Sequence, residues 1–154
     1  KFRGGSALAE PLGELLAQCA AEQFGGEFDT VTWVPVSRKR LKRRGYDQAR
    51  LLAEEAARVL EVPALPLLSK TRDTPPQSGL EEAGQRRANV LGVYRAPDAA
   101  AGLRVLLADD VVTTGSTLSE CARTLLTAGA AEVVCVTLAQ ARKDRPEKPR
   151  KTAK

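Results

Sequence analysis

The residues of this chain that are best suited to chemistry are two adjacent carboxylates followed by a loop rich in hydroxyls. Residues 105–117 read VLLADDVVTTGST, an apolar run that leads to Asp109 and Asp110. A buried strand of this type delivers both acids to its carboxyl end, where open α/β sheets bind their ligands. We expect the N–H and hydroxyl groups of the next residues, with the dipole of a following helix, to hold a phosphate. These residues are Thr113, Thr114, Gly115, Ser116 and Thr117.

Together, the acid pair and the loop predict a site for a sugar phosphate. The carboxylates are expected to accept hydrogen bonds from ribose hydroxyls, while the loop holds the 5′-phosphate. The alternative is an ordinary strand–turn–helix in which Asp and Thr only cap the helix, but capping needs one such residue and not seven in order. A Walker A phosphate loop is excluded because G-x-x-x-x-G-K-[ST] does not occur in the sequence.

The second feature is a dense cluster of cations. Seven Lys or Arg stand between positions 38 and 50, opposed only by Asp47. A loop at a strand end that runs into such cations suits a diphosphate, so the residues predicted to bind one are Val36, Ser37 and Arg38. For the later cations, three interpretations stay open: a diphosphate contact, a solvated basic turn, or a nucleic-acid contact with Trp33 and Tyr46 as the nearby aromatics. These cations are Arg40, Lys42, Arg43 and Arg44.

A third segment, residues 71–84, is polar and carries prolines and glycines, which predicts a mobile loop. For side chains of this loop and of the short segment after it, only the family resemblance given below implies a role, which is to reach the ligand when the loop closes and to exclude water. The candidates are Arg72, Gln77, Arg86 and Arg87. For the last two, the alternative is an ordinary pair of charges on a helix surface.

Periodicity predicts the elements that must position these residues. Helices are expected over 6–23, 49–60 and 118–128, and strands over 30–36, 91–95, 104–108 and 132–138. Strands that alternate with helices and are apolar throughout predict a doubly wound α/β domain with a mainly parallel sheet. In the first helix, the residues at the spacing of a buried face are Leu8, Leu12, Leu15, Leu16 and Cys19.

Two finer predictions concern side chains on these elements. Glu54 and Arg58 stand four residues apart on the polar face of the second helix, which predicts an ion pair. Cys121 and Cys135 have apolar neighbours in a helix and in a strand, so we expect both to pack in the core.

Composition excludes several classes of protein. The chain has 154 residues, enough for one domain, and no apolar stretch approaches the roughly 20 residues of a membrane span, so membrane insertion is not expected. It has no histidine, which removes the commonest general base. Three scattered cysteines form neither a disulfide framework nor a zinc site and are typical of a cytoplasmic protein. At 4%, aromatic residues are too few for a base-stacking platform.

The two ends of the chain lead to further expectations. The chain begins at Lys1 without a methionine, which suggests that more sequence precedes it. Residues 142–154 hold seven Lys or Arg and almost no apolar side chain, which predicts a disordered basic tail behind a domain of residues 1–141.

Residues 105–117 resemble the PRPP-binding motif of the type I phosphoribosyltransferases, where PRPP is phosphoribosyl pyrophosphate: an apolar run, two acids, then T-T-G-x-T. Other blocks resemble, in chain order, those of the ComF/GntX-type competence proteins, which are phosphoribosyltransferase-like proteins linked to DNA uptake and natural transformation. These blocks are KFRG at 1–4, VPVS at 34–37, RGYDQ at 44–48, TPPQSG at 74–79 and RRANV at 86–90. The resemblance covers nearly the whole chain to about residue 142, and members usually carry a cysteine-rich zinc module upstream.

The resemblance implies a type I phosphoribosyltransferase-like fold that binds PRPP, with Mg²⁺ held through PRPP and not directly by the protein. It gives Asp109 and Asp110 the catalytic place, Val36–Ser37–Arg38 that of the pyrophosphate loop, and residues 71–89 that of the flexible loop. Three functions stay open: a transferase with an unknown acceptor, a PRPP sensor without turnover, and a factor that handles single-stranded DNA beside other proteins of the competence machinery.

Overall fold

The computed structural model describes residues 8–71 and 92–141, apart from the side chain of Arg38. The predictions made for residues 1–7, for most of 71–90 and for the basic tail lie outside this range. In chain order the elements are α1 (Ala9–Phe24), β1 (Thr30–Trp33), α2 (Arg38–Arg44), α3 (Gln48–Leu60), β2 (Ser69–Lys70), β3 (Tyr94–Arg95), a 3₁₀ turn (Asp98–Ala100), β4 (Arg104–Val112), α4 (Ser116–Thr127) and β5 (Glu132–Gln140).

The main sheet has the order β1–β4–β5, and both pairings are parallel. On the far side of β1, the chain that follows α3 makes a single parallel bridge between Val31 and Ala64, with Leu65 N–H donating to the Val31 carbonyl at 2.9 Å. The chain therefore moves from β1 to one side, and then returns to the other side to form β4. This reversal makes the gap between β1 and β4 the topological switch point, where doubly wound sheets bind ligands.

Helices cover both faces of the sheet, which confirms the predicted doubly wound α/β architecture. On one face, α1 and α3 bury Leu16, Leu52 and Leu106 in a common core. On the other face, α4 and the β2–β3 ribbon pack with Leu107 and Leu125. Because neighbouring residues of β4 enter different cores, this strand is apolar throughout instead of alternating.

Several predicted elements differ from the structure. The first strand ends at Trp33 and not at 36, and β4 runs through both aspartates to Val112 instead of ending at 108. The extension of β4 follows from β5, which pairs with it as far as Val112. The cation cluster, for which a basic turn was one of the open interpretations, forms the helix α2, and the Ser37 hydroxyl caps this helix by accepting from Arg40 N–H at 3.3 Å.

The predicted apolar face of α1 is wrong in part. Leu8 and Leu15 are 61% and 57% exposed, and Cys19 is exposed as well. The face that packs on α3 instead carries small residues, and an added Cβ at Gly13 would collide with Glu55. Close approach of the two helices therefore selects small side chains, which a search for large apolar ones overlooks.

The predicted Glu54–Arg58 pair does not form. Glu54 accepts from Arg50 at 2.7 Å, while Arg58 binds Glu55 at 2.8 Å and reaches Glu14 of α1 at 3.5 Å. Glu54 has an arginine four residues away on each side, and Arg58 has glutamates three and four residues before it. Spacing alone therefore does not decide which of these pairs forms.

Of the two cysteines predicted for the core, only one is buried. Cys121 lies in the core beneath α4, as expected. Cys135 is exposed, because β5 stands at the end of the strand order in the part of the sheet that the structure describes.

Candidate functional site

The two predicted phosphate loops lie at the same end of the sheet, on either side of the switch point. Residues 34–37 follow β1, and residues 113–115 follow β4, its parallel neighbour. The Val34 N–H donates to the Ala108 carbonyl at 3.1 Å, so the first loop leaves the sheet directly beside Asp109. The topology therefore brings together the acid pair and both loops that the sequence singled out.

Asp109 and Asp110 lie near the carboxyl end of β4. The Asp110 N–H donates to Asp109 Oδ1 at 2.9 Å, and the Val111 N–H donates to Asp110 Oδ1 at 2.8 Å. Burial raises the pKa of Asp109 to about 7, with a further contribution from the negative charge of Asp110. Near neutral pH, the Asp109 carboxyl is therefore divided between its protonated and ionised forms and can donate or accept a hydrogen bond.

The loop between β4 and α4 is ordered by its own polar groups. Gly115 has φ +77°, a left-handed conformation that favours glycine. The Thr114 hydroxyl lies 2.9 Å from the Ser116 hydroxyl and accepts from the Ser116 N–H at 3.4 Å. Ser116 and Thr117 belong to the first turn of α4 instead of the predicted loop.

A small open cleft of about 40 Å³ lies between this loop and Asp109. Its lining residues are Asp109, Val111, Val112, Thr113, Gly115, Thr117 and Leu118. Since the cleft opens at the N-terminus of the twelve-residue helix α4, helix dipole and backbone N–H groups favour an anion there.

The basic helix α2 stands at the other side of the switch point. Its cations Lys39, Arg40, Lys42, Arg43 and Arg44 are all exposed, as are Leu41 and Tyr46. Val36 and Ser37 are half-buried at its start, and Arg38 is its first residue. Trp33, the other aromatic residue near these cations, is only partly exposed, and the Arg50 guanidinium lies 5.7 Å from its ring centroid.

Comparison with known proteins agrees with this geometry. The family described as "Phosphoribosyl transferase domain" matches residues 46–154, which include the acid pair, the loop and α4. This chain belongs to the phosphoribosyl transferase domain family.

Within the phosphoribosyl transferase family, its curated relatives are of the ComF type, as the sequence motifs indicated. Competence protein F of Haemophilus influenzae is 38% identical over 112 residues, covering 70% of this chain and 48% of that protein. The DNA utilization protein YhgH of Salmonella typhimurium is 36% identical over 138 residues, 86% of this chain and 60% of that protein. Competence protein ComFC of Bacillus subtilis is 28% identical over 134 residues, which cover 87% of this chain and 53% of that protein. The chain thus spans about half the length of the curated relatives it matches.

Solved structures confirm the type I phosphoribosyltransferase fold. Glutamine PRPP amidotransferase from B. subtilis, complexed with ADP and GMP, superposes with a TM-score of 0.57 at 26% identity, over 84% of this chain and 26% of that one. A purine phosphoribosyltransferase from Pyrococcus horikoshii superposes with a TM-score of 0.52 at 16% identity, over 86% of this chain and 82% of that one.

The structure adds Asp47 to the surroundings of Asp109, a residue that the sequence interpretation treated only as a counter-charge. Its carboxylate caps α3 by accepting from Arg50 N–H at 3.2 Å. Burial raises the pKa of Asp47, and its negative charge contributes to the raised pKa of Asp109. An aspartate just before an apolar helical repeat is an N-cap signal that could have identified its structural part.

Glu120 is a second residue that the sequence interpretation missed. It lies buried in α4, accepts from the Gly92 N–H at 2.7 Å and binds the Arg123 guanidinium at 2.9 and 2.7 Å. These hydrogen bonds, led by those from Arg123, lower its pKa. Glu120 thereby ties the chain that leads into β3 to the helix that begins at the phosphate loop. No sequence pattern announces this contact, because Gly92 is distant along the chain.

Two absences hold for the part of the chain that the structure describes. In residues 8–71 and 92–141, no three His, Cys, Asp or Glu side chains are grouped to hold a metal ion. Over the same ranges, no helix has the length and apolar character that crossing a bilayer demands. The four flexible-loop candidates, Arg72, Gln77, Arg86 and Arg87, lie outside the described residues.

Proposed function

We propose that this domain binds PRPP at the switch point and serves competence or DNA utilisation, the processes for which its curated relatives are named. The observation that carries the proposal is the pair Asp109 and Asp110 near the end of β4, beside an open cleft at the N-terminus of α4. A phosphate held at Gly115 would place a ribose over Asp109 and Asp110, whose carboxyls can accept hydrogen bonds from its hydroxyls, and Asp109 can also donate one when it is protonated.

The remaining parts of PRPP would find partners in the same place. The diphosphate would meet the loop of Val36 and Ser37 and the first residue of α2, Arg38. Mg²⁺, bound through diphosphate oxygens, would neutralise part of the ligand charge. The donor set fits this arrangement, because two adjacent carboxylates offer outer oxygens but no third protein ligand stands with them in the described chain.

The reaction proposed for the site displaces the diphosphate from the ribose. The bond between C1 and the diphosphate oxygen breaks, the diphosphate leaves with the electron pair, and an acceptor atom bonds to C1 and releases its proton to solvent. Such chemistry depends on positioning and charge stabilisation more than on a strong base, so the lack of histidine is no obstacle. A sensor that binds PRPP without turnover would use the same residues.

Calorimetric titration with PRPP and Mg²⁺ tests the binding step, and we expect saturable binding at one site per chain. A screen for pyrophosphate release over bases and amines then separates enzyme from sensor, since only an enzyme releases pyrophosphate with a particular acceptor. Absence of PRPP binding in a folded sample would refute the proposal.

The exposed cations of α2 favour a second candidate function, contact with single-stranded DNA. The exposed Lys and Arg side chains of α2, followed in the chain by the exposed Tyr46, give a surface that suits a nucleic-acid backbone. Two families of measurement separate the candidates, because DNA binding depends on salt and PRPP binding depends on the acid pair.

A further inference from the structure

One line of apolar side chains on α1 is left uncovered by the described part of the chain. Leu8 and Leu15 are 61% and 57% exposed, Cys19 is exposed, and Leu12 is only partly buried. These positions follow the spacing i, i+4, i+7 and i+11, which aligns them along the helix and is the spacing of a coiled-coil seam. Single exposed leucines are ordinary, but an aligned set indicates a docking face.

This apolar line lies on the opposite side of α1 from α3. Toward α3 the helix presents Gly13, where an added Cβ would collide with Glu55. Its neighbour Glu14 binds Arg58 of α3 at 3.5 Å. At about 100° per residue, the middle of the apolar line is about 180° around the helix axis from these two residues. Because α1 packs on β5 while α3 packs on β1 and β4, the line faces outward from the end of the helix layer.

The polar residues beside the apolar line suit a second copy of the same helix. The line is bordered by Gln18, Gln23 and Glu22, and α1 contains no lysine or arginine. If two copies paired in parallel, their Glu22 carboxylates would repel each other. In the antiparallel alignment, each Glu22 lies beside the N-terminus of the other helix, where the dipole favours a negative charge and Leu8 at the N-cap provides no side-chain hydrogen bond.

Antiparallel pairing also matches the apolar side chains with one another. A two-fold axis at the middle of the line sets Leu12 of one copy opposite Leu15 of the other, and Leu8 opposite Cys19. Each member of the line is then covered by another member, as the interface of a two-fold dimer requires. Four such side chains cover about 400 Å² per copy, half of the area in a standard interface, so the pair should be weak and depend on concentration.

We propose that α1 of one copy docks in antiparallel orientation on α1 of a second copy, through Leu8, Leu12, Leu15 and Cys19. The interface uses no residue of the proposed PRPP site, which lies at the carboxyl ends of β1 and β4. The two proposals can therefore fail separately.

Sedimentation equilibrium of the whole chain tests the pairing. Over concentrations of about 5 to 500 µM, we expect a reversible monomer–dimer equilibrium. Leu15→Lys should raise the dissociation constant at least about 100-fold, because each dimer contains the substitution twice and each copy costs about tenfold. Leu126→Lys is the matched control, since Leu126 is 50% exposed but belongs to α4 on the other face of the sheet, and it should leave the dissociation constant unchanged.

The native cysteines give a second readout. Cys19 and Cys135 are both exposed, but only Cys19 lies in the apolar line. With excess iodoacetamide, the alkylation rate of Cys19 relative to that of Cys135 should fall at least about fivefold as the protein becomes dimeric, by mass action. In the Leu15→Lys variant, the ratio of the two rates should not change with protein concentration.

Several outcomes would overturn the pairing. One is a parent chain that stays monomeric at the highest concentration, and another is a dimer that Leu15→Lys does not weaken. Protection of Cys19 that does not depend on concentration would mean that a segment of the same chain covers the line. If circular dichroism shows that Leu15→Lys is unfolded, Leu8→Lys decides in its place, because Leu8 stands just before the helix and is exposed.

Discussion

The acid-pair region, residues 104–117, and the basic helix α2 carry the two most conspicuous patterns of the sequence, but they differ in how they acquire a role. In the acid-pair region, strand, carboxylates, loop and helix follow one another, and hydrogen bonds between near neighbours hold the arrangement. In α2, local hydrogen bonds set only the helix and its Ser37 cap, while the cations that follow are all exposed. A contiguous motif thus fixes its own geometry, whereas a charge cluster acquires its partners from the fold.

The largest effect should come from Gly115→Val. Valine at φ +77° is strained by roughly 1–2 kcal/mol or more, and its side chain would intrude where the backbone approaches a phosphate. We expect PRPP binding to be lost in calorimetry. Gly102→Val is the matched control, because Gly102 also has positive φ, +75°, and open space around it, but it lies before β4 and away from the site. Equal loss of binding in both variants would mean that strain, and not the cradle, is responsible.

The next effect concerns the acid pair itself. Replacing both Asp109 and Asp110 by Asn removes two charged acceptors, so PRPP affinity should fall by about 10- to 100-fold, with the fold retained in circular dichroism. Asp98→Asn, on the exposed 3₁₀ turn, is the control and should bind normally. Unchanged affinity in the double variant would remove the acid pair from the site and weaken the contrast with α2.

The contrast is sharpened by removing the outer cations of α2. Replacing Lys42, Arg43 and Arg44 by Ser should flatten the slope of log K for single-stranded DNA against log salt by about two units, at about 0.7 per contact. PRPP affinity should stay constant, because the diphosphate is assigned to residues 36–38 and not to these three cations. The contribution of residues 142–154 cancels because both proteins carry them. The charge-conserving Lys42→Arg, Arg43→Lys, Arg44→Lys variant should keep the parent slope, and an unchanged slope in the serine variant would exclude α2 from DNA binding.

The smallest effect is on stability. The pKa of Asp109 is about 7 in the folded chain, against 3.8 for an ordinary aspartate. Between these values, the folded state binds more protons than the unfolded state, so the free energy of unfolding falls as pH rises. Asparagine cannot ionise, so Asp109→Asn does not lose this stability. Its advantage over the parent in the free energy of unfolding should therefore grow by at least about 1 kcal/mol between pH 4 and pH 8, measured by urea denaturation. An advantage that does not change with pH would contradict the raised pKa. Asp110→Asn removes the neighbouring charge, so its free energy of unfolding should depend less on pH than that of the parent.

The sequence predicted the fold better than it predicted the surroundings of single residues. The second helix and the parallel strands were found at nearly their observed positions, because local periodicity reports burial on each element. The face of α1 and the burial of Cys135 were missed, because both depend on how closely a neighbouring element approaches. The sequence interpretation did not predict the helix α2 either. The segment is almost entirely basic and has no apolar periodicity, so Ser37 was not identified as a helix N-cap.

The sequence by itself determined the order of acid pair, hydroxyl loop and helix, and with it the family and the class of ligand to expect. These follow from residues adjacent in the chain, whose mutual geometry is nearly set by backbone hydrogen bonds. Only the tertiary structure decided that the charge of Asp47 acts on Asp109, that Asp109 is buried enough to hold a proton near neutral pH, and that Glu120 accepts from the Gly92 N–H. The reason is physical: burial and charge at these atoms come from elements far apart in the chain, which the parallel sheet brings to one edge.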